Sequence, residues 1–340
     1  MVKEIGLGII GCGTAARWHA DSAGMTEGAR LAGVCDSSFE RAAEFAEKYG
    51  CLAFSSAEEL VASKDVDIVS ICVPSGLHAK FAVMAANAGK HIIVEKPLAL
   101  TNEQIDAVTE ACERNGVMGT VISQLRFTPA VMAVKRAIDE GRLGRLILGD
   151  MKMKYYRSPE YYKSADWRGR RDMDGGAMMN QGIHGIDLLL HLMGPMTSVS
   201  GVCKTIVHDI ESEDTACFSV EFENGAVGSI TAATTVSPGY PRIIEISGTK
   251  GTVALSEDKL VRWDIEGEEM PELCDILGSN NGFKEASSFS EALHAMQIKD
   301  FFEAVRDGGR PYIDINDGAA AVKMILGAYE ASERGCKIIL

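Results

Sequence analysis

Positive charge, aromatic side chains and long apolar runs are all in short supply in this sequence. Thirty-four lysines and arginines face forty-eight aspartates and glutamates, a formal charge of −14. That balance repels phosphate backbones and anionic lipid surfaces, so nucleic-acid and membrane partners are not expected. No apolar stretch approaches the roughly 20 residues needed to span a bilayer. The nine cysteines include no C-x-x-C pair and make an odd total. Reduced, buried thiols explain them better than a disulfide framework or a zinc site. Met1-Val2-Lys3-Glu4 runs straight into a strand-like segment, without the basic, apolar and small-residue regions of a secretory signal. A cytoplasmic location is expected. What is present is ordinary for a globular protein: 340 residues, 46% hydrophobic and 24% charged. Such a length suits about two domains and buries roughly three quarters of the unfolded surface.

Strand-like and helix-like segments alternate through the first third. Residues 5–10 form an apolar run, followed by Gly11-Cys12-Gly13 and a helix over 14–25. Residues 30–36 read as a second strand, with Ser37 as N-cap of a helix reaching Tyr49. Ser56 with Glu59, and Thr101 with Gln104, have capping-box spacing. The β-branched run 67–73 ends at Pro74 and, apolar on both faces, suits a parallel strand covered on two sides. Strands at 91–95 and 117–123 complete a series of β-α units, which implies a parallel sheet wrapped by helices. After residue 124 the rhythm changes. A helix over 129–140 precedes a strand over 145–157, a loop rich in Tyr, Trp and Arg, and a helix over 177–193. Strands dominate 198–265, with turn signals at 223–225, 238–239 and 249–251, as an antiparallel sheet with one buried face requires. Helices over 290–306 and 316–334 close the chain. The expected domains are therefore 1–124 and 125–340.

Gly11-Cys12-Gly13-Thr14-Ala15-Ala16 lies directly after a strand and before a helix. The first glycine permits a tight turn, the second lets backbone approach a pyrophosphate, and Ala16 still allows close helix–strand packing. Free N–H groups at the helix start, over Thr14 and Ala15, then meet phosphate charge. Asp36, at the end of the next strand, is placed to accept hydrogen bonds from the ribose hydroxyls. A carboxylate there repels a 2′-phosphate, so NAD is expected over NADP. Arg41 is read as a solvated surface arginine, although it is within reach of such a phosphate.

Two segments carry the candidate chemistry. Glu95-Lys96-Pro97 ends a parallel strand, at the edge where ligands of open α/β sheets gather. A lysine there has a bland reading too, as a solvated strand terminus. Farther along, Asn180, His184, Asp187 and His191 recur at offsets of four, three and four, beside an apolar stripe of Ile183, Ile186, Leu190 and Met193. Polar side chains on such a helix need partners or a cavity, because leaving one buried and unpaired costs about 1–3 kcal/mol. His184 with Asn180 one turn earlier points to a site, and His191 to a structural role. The segment lacks H-E-x-x-H, so no metal is expected. Pro74, Ser75 and His78 follow a strand end and are candidates for the cofactor side, with an exposed helix position as the alternative for His78. Gln124 and Arg126 follow the last parallel strand, as candidate cofactor and substrate contacts respectively. Tyr156, Trp167 and Arg168 resemble a carbohydrate pocket or, equally, a domain-packing loop. His294 is a further candidate substrate contact.

These motifs together resemble the Gfo/Idh/MocA oxidoreductases, the family of glucose–fructose oxidoreductase and inositol dehydrogenase. The resemblance covers essentially the whole chain and rests on Gly11-x-Gly13-x-x-Ala16, Glu95-Lys96-Pro97 and the helix with Asn180 and His184. It implies an N-terminal Rossmann α/β domain and an α+β C-terminal domain with a large open, mostly antiparallel sheet. That sheet would form the subunit interface of a homodimer or homotetramer. The resemblance also implies that Lys96 and His184 face the substrate near the nicotinamide, and that the Lys96-Pro97 bond is cis. Many members carry Asp one turn before the histidine, where Asn180 stands here. Asn can only make neutral hydrogen bonds, so base catalysis is assigned to His184 and substrate orientation to Asn180. The expected activity is NAD-dependent oxidation of a secondary alcohol in a sugar, cyclitol or polyol. An imidazole with an ordinary pKa of about 6.5 takes the hydroxyl proton, and the Lys96 ammonium stabilises the developing alkoxide. The alternatives are an NAD-dependent redox glycosidase and, from another class, a nucleotide-sensing regulatory protein.

Overall fold

The computed structural model describes residues 4–257, 259–273 and 289–340. One of the nine cysteines, Cys274, and the opening Met1-Val2-Lys3 lie outside them. The chain divides into two units, the first holding the residues up to Gln124 and again those from 289 to Ala319. Its six strands are β1 (Ile5–Ile10), β2 (Ala29–Cys35), β3 (Leu52–Ala53), β4 (Ile68–Ile71), β5 (His91–Val94) and β6 (Gly119–Val121). They pair in parallel in the order β3-β2-β1-β4-β5-β6, the Rossmann arrangement. Every residue of β1 and of β4 is buried, as continuous apolar runs require when helices cover both faces.

The intervening helices are α1 (Thr14–Gly24), α2 (Phe39–Tyr49), α3 (Ala57–Ala62), α4 (His78–Asn87) and α5 (Asn102–Asn115). Their starts follow the capping logic with three shifts, one being Glu59, whose carboxylate takes the N–H of Ser55 instead of that of the Ser56 cap. Ser38, not Ser37, caps α2 by accepting the Arg41 N–H, while Ser37 donates its hydroxyl to Asp36. Thr101 caps α5 as expected, but Gln104 reaches back to the N–H of Leu100 rather than to the cap itself.

The second unit spans 125–273 and 320–340. It contains α6 (Pro129–Asp139), β7 (Leu146–Lys154), α7 (Pro159–Lys163), α8 (Ile183–Met193), β8 (Met196–Lys204), β9 (Thr215–Phe222), β10 (Val227–Ala233), β11 (Ile243–Gly248), β12 (Gly251–Ser256) and β13 (Lys259–Ile265). With β14 (Ile338–Ile339), these strands form one sheet ordered β13-β12-β11-β7-β10-β9-β8-β14. It is antiparallel except for the β7–β10 pair. Strict alternation of buried and open positions along β9 shows one covered face.

The closing helices are α9 (Phe289–Asp307) and α10 (Ile315–Arg334). The sequence suggested one uninterrupted domain from 125 onward. The structure differs: α9 joins the first unit. Its Ile298, Phe301 and Phe302 enter the core that holds Ile5, Leu7, Ala16, Ala20 and Ala23, and burying them there removes a large apolar area from water. Among the described residues no helix is long and apolar enough to cross a membrane.

Candidate active site

The turn after β1 is built for close approach. Gly11 has φ of +95°, and a Cβ placed on it would fall 2.5 Å from the carbonyl oxygen of Cys72. Gly13 is the N-cap of α1, and no side chain supplies a capping hydrogen bond there. A Cβ on Gly13 would meet nothing within 4 Å among the described residues. An open backbone edge at the positive end of a helix is a ready anion site.

Asp36 braces this loop from the neighbouring strand end. Its Oδ2 accepts the Cys12 N–H at 2.8 Å, and its Oδ1 accepts the Ser38 N–H at 3.0 Å and the Ser37 hydroxyl at 3.2 Å. Burial pushes the carboxyl up, but these hydrogen bonds and the Arg41 guanidinium, 3.1 Å away, hold it below the usual carboxylate range. An anionic acceptor beside the glycine turn suits a ribose diol.

The carboxyl ends of β4, β5 and β6 carry the next group. Ser75 opens a short 3₁₀ turn and is buried. Lys96 is half-buried, and the Lys96-Pro97 bond is cis. Gln124 is 8% exposed, and its Oε1 has no hydrogen-bond partner among the described residues. Unpaired buried acceptors are rare, and this one suits a donor on a bound molecule. The glycine turn, the Asp36 carboxylate and the Gln124 oxygen together fit a dinucleotide.

In the second unit, a single π turn over Ala177–Gly182 leads into α8. Such insertions cluster at functional sites, and nothing in the sequence periodicity signalled it. The buried Glu213 caps its start: the backbone oxygen takes the Ala177 N–H at 2.8 Å and Oε1 takes the Met178 N–H at 2.8 Å. The Tyr329 hydroxyl donates to the same Oε1 at 3.1 Å. Burial outweighs these bonds and pushes the Glu213 carboxyl up to about 7. Within the π turn, Asn180 donates through Nδ2 to Asp174, itself 2% exposed, and accepts from Gln181 Nε2. Arg157 donates to Gln181 at 2.8 Å, so a directed chain of donors ends on a buried carboxylate and orients the Asn180 amide. His184 follows, half-buried, in the first turn of α8. Next to it, a Cβ on Gly185 would come within 2.9 Å of both Met151 and Arg242, so glycine lets α8 lie close against β7.

The family profile described as "Oxidoreductase family, NAD-binding Rossmann fold" matches residues 5–123, and the "GFO/IDH/MocA C-terminal domain" matches 131–254. The chain belongs to the GFO/IDH/MocA family. Among solved structures, this GFO/IDH/MocA protein is similar to the WlbA dehydrogenase from Bordetella pertussis, crystallised with NADH and UDP-GlcNAcA. The two share 31% identity over 99% of this chain and 98% of that one, with a TM-score of 0.90. Inositol 2-dehydrogenase of Rhizobium meliloti is 29% identical over 93% of both chains. The NAD(+)-dependent scyllo-inositol 2-dehydrogenase of Bacillus subtilis is 27% identical over all of this chain and 97% of its own.

Not every expected contact of this GFO/IDH/MocA chain is free for a ligand. Arg126 is 3% exposed and forks the Asp187 carboxylate, Nε to Oδ2 at 3.0 Å and Nη2 to Oδ1 at 2.6 Å. It fastens α8 instead of reaching a sugar. His78 is neither exposed nor turned to a cofactor. It is 1% exposed, with Nδ1 at 2.6 Å from the Pro97 oxygen and Nε2 at 2.8 Å from the Val73 oxygen, so it ties two strand-end loops together. His294, expected at the substrate, is 2% exposed on α9, its ring 4.8 Å from that of Trp18. Arg168 stacks on the rings of Trp167 and Tyr161 at 4.6 and 4.3 Å, so the loop packs on itself, while Tyr156 stays 44% exposed. The sequence reading missed His19, Asp174, Gln181 and Glu213. Only His19 left a signal, as a lone imidazole among the small residues of α1.

Proposed function

We propose that this protein is an NAD-dependent dehydrogenase of a secondary alcohol in a sugar, cyclitol or related polyol. Its relatives named for inositol, and the one crystallised with a nucleotide sugar, support that substrate class. The observation that carries the cofactor half of the reading is the open glycine turn braced by an anionic Asp36. The glycine turn and Asp36 would hold NAD, which would supply the hydride acceptor for the carbinol carbon.

The chain's own residues handle charge and orientation. His184 accepts the hydroxyl proton as the alcohol is oxidised and returns it in the reverse reaction. Lys96, as an ammonium, donates a hydrogen bond to the reacting oxygen and stabilises alkoxide charge. Asn180, its amide turned by Asp174 and Gln181, orients a neighbouring hydroxyl. Gly11, Gly13, Thr14, Ala15 and Ala16 take the pyrophosphate, with Asp36 on the ribose. Pro74, Ser75 and Gln124 border the nicotinamide end, and Tyr156 the sugar end. The same reading includes a homodimer or homotetramer joined through the open face of the eight-stranded sheet, where Leu148, Val202 and Val227 stay exposed. It also includes a cytoplasmic location, which suits the free thiols of the described cysteines.

A screen of free sugars, inositols and sugar acids, read by NADH absorbance and repeated with NADP, tests the assignment. Net NADH formation that fails in both Lys96→Ala and His184→Ala is the expected result. Full activity in the double variant overturns the residue roles, and glycoside cleavage without net NADH overturns the reaction.

A further inference from the structure

The Rossmann unit holds a buried polar cluster that the proposed chemistry leaves unused. His19, in the second turn of α1, is 0% exposed, with Nε2 3.0 Å from Glu95 Oε1 and Nδ1 against the Ser70 hydroxyl. Glu95 is the residue before the lysine, and its Oε2 accepts the Lys96 backbone N–H at 3.2 Å. His294 approaches from α9, its Nε2 3.9 Å from the same Glu95 Oε1 and its Nδ1 held at 2.8 Å from the Ser290 oxygen. Among the described residues, Cys72, His78 and Lys96 are further titratable groups around this carboxylate and its imidazole.

Burial opposes charge on His19, but the Cys72 sulfur and the Glu95 carboxylate overcome it and raise the imidazole to about 10. Burial likewise raises Glu95, but the His19 hydrogen bond and charge, then His294 and Lys96, bring it down to about 2. The hydrogen bond and the opposite charges favour the ionised form of both partners, and the Lys96 charge is among those that favour the Glu95 carboxylate. A carboxylate this enclosed has little freedom, because breaking a buried pair is costly.

We propose that Glu95, clamped by His19, is a positioning residue for Lys96: it orients the lysine through its backbone and supplies the negative charge that holds it as an ammonium. His19 thereby ties the reactive lysine to α1, the helix whose first turn takes the cofactor's phosphates. This inference rests on the role given to Lys96 above.

The test uses the full chain with Glu95→Gln, His19→Gln and Lys96→Ala. Acetylation of Lys96 by acetic anhydride, followed against pH by peptide mass spectrometry, needs no substrate and reports the lysine's protonation directly. Glu95→Gln is expected to move the midpoint of that profile to lower pH. It should also lower kcat at least tenfold on the alcohol selected by the screen, with KM and NADH affinity within about threefold. His19→Gln keeps an amide donor to Glu95 but removes the imidazolium that offsets its charge, so the midpoint should move to higher pH, and this variant carries the test if Glu95→Gln does not fold. An unmoved midpoint with unchanged kcat in either variant overturns the proposal while leaving the Lys96 role intact. A fully active Lys96→Ala overturns both.

Discussion

The forked pair between Arg126 and Asp187 is where a single-atom change should have its largest effect on folding. Both side chains are almost dry, 4% and 5% exposed, and two hydrogen bonds of 3.0 and 2.6 Å join them. Asp187→Asn keeps the shape but removes the negative charge that the buried guanidinium forks. Breaking one side of a buried pair in this way costs about 3–5 kcal/mol. With a urea dependence of about 2–3 kcal/mol per molar, the unfolding midpoint should fall by roughly 1–2 M. Charge, not hydrogen-bond count, is the cause, so replacing both partners should hurt less. Arg126→Met with Asp187→Leu is expected to recover at least half the loss, since apolar side chains of similar volume avoid the desolvation cost altogether. Equilibrium urea unfolding followed by fluorescence and by circular dichroism measures all three proteins. A loss below about 1 kcal/mol in Asp187→Asn, or a double variant no better than the single one, would refute the argument.

Three other outcomes follow from the same physics. Glu213 titrates at about 7 in the folded chain, above its ordinary value, so its acid form favours folding. That contribution is complete at pH 4 and is lost as pH rises through 7, about 3 kcal/mol in all. Glu213→Gln, which stays neutral, should therefore match the wild type at pH 5 and exceed its Tm at pH 8. Equal Tm differences at both pH values would contradict this. Gly11→Ala would place a methyl against the Cys72 oxygen at positive φ. It should weaken NADH binding at least tenfold in a fluorescence titration. Asp36→Ser removes the carboxylate paired with Arg41 at 3.1 Å and leaves that guanidinium for a 2′-phosphate. The ratio of kcat/KM for NADP over NAD should rise tenfold or more, and an unchanged ratio would remove Asp36 as the discriminating group.

Much of this protein is legible in the order of its residues. The all-buried and mostly apolar runs Ile5–Ile10 and Ile68–Ile71 announce a parallel sheet covered on both sides. Ser56 and Thr101 mark helix starts because their oxygens take N–H groups that the helix itself leaves unpaired. The glycine turn is legible because Gly11 has no room for a side chain. The candidate site was read less completely. Arg126 and His78 have the residue types of ligand contacts, yet the fold consumes them as struts.

The sequence by itself determined most of the strands and helices and which turn can receive phosphate, though not the π turn at Ala177–Gly182 or the short helix at Pro159–Lys163. Those choices depend on neighbours a few residues away. Only the tertiary structure decided that Arg126 meets Asp187 across 61 positions, that His19 meets Glu95 across 76, and that α9 returns to the Rossmann core. Periodicity records whether a side chain sits in water or in oil. Which distant group satisfies it depends on how finished elements stack, and that information is spread over the whole chain.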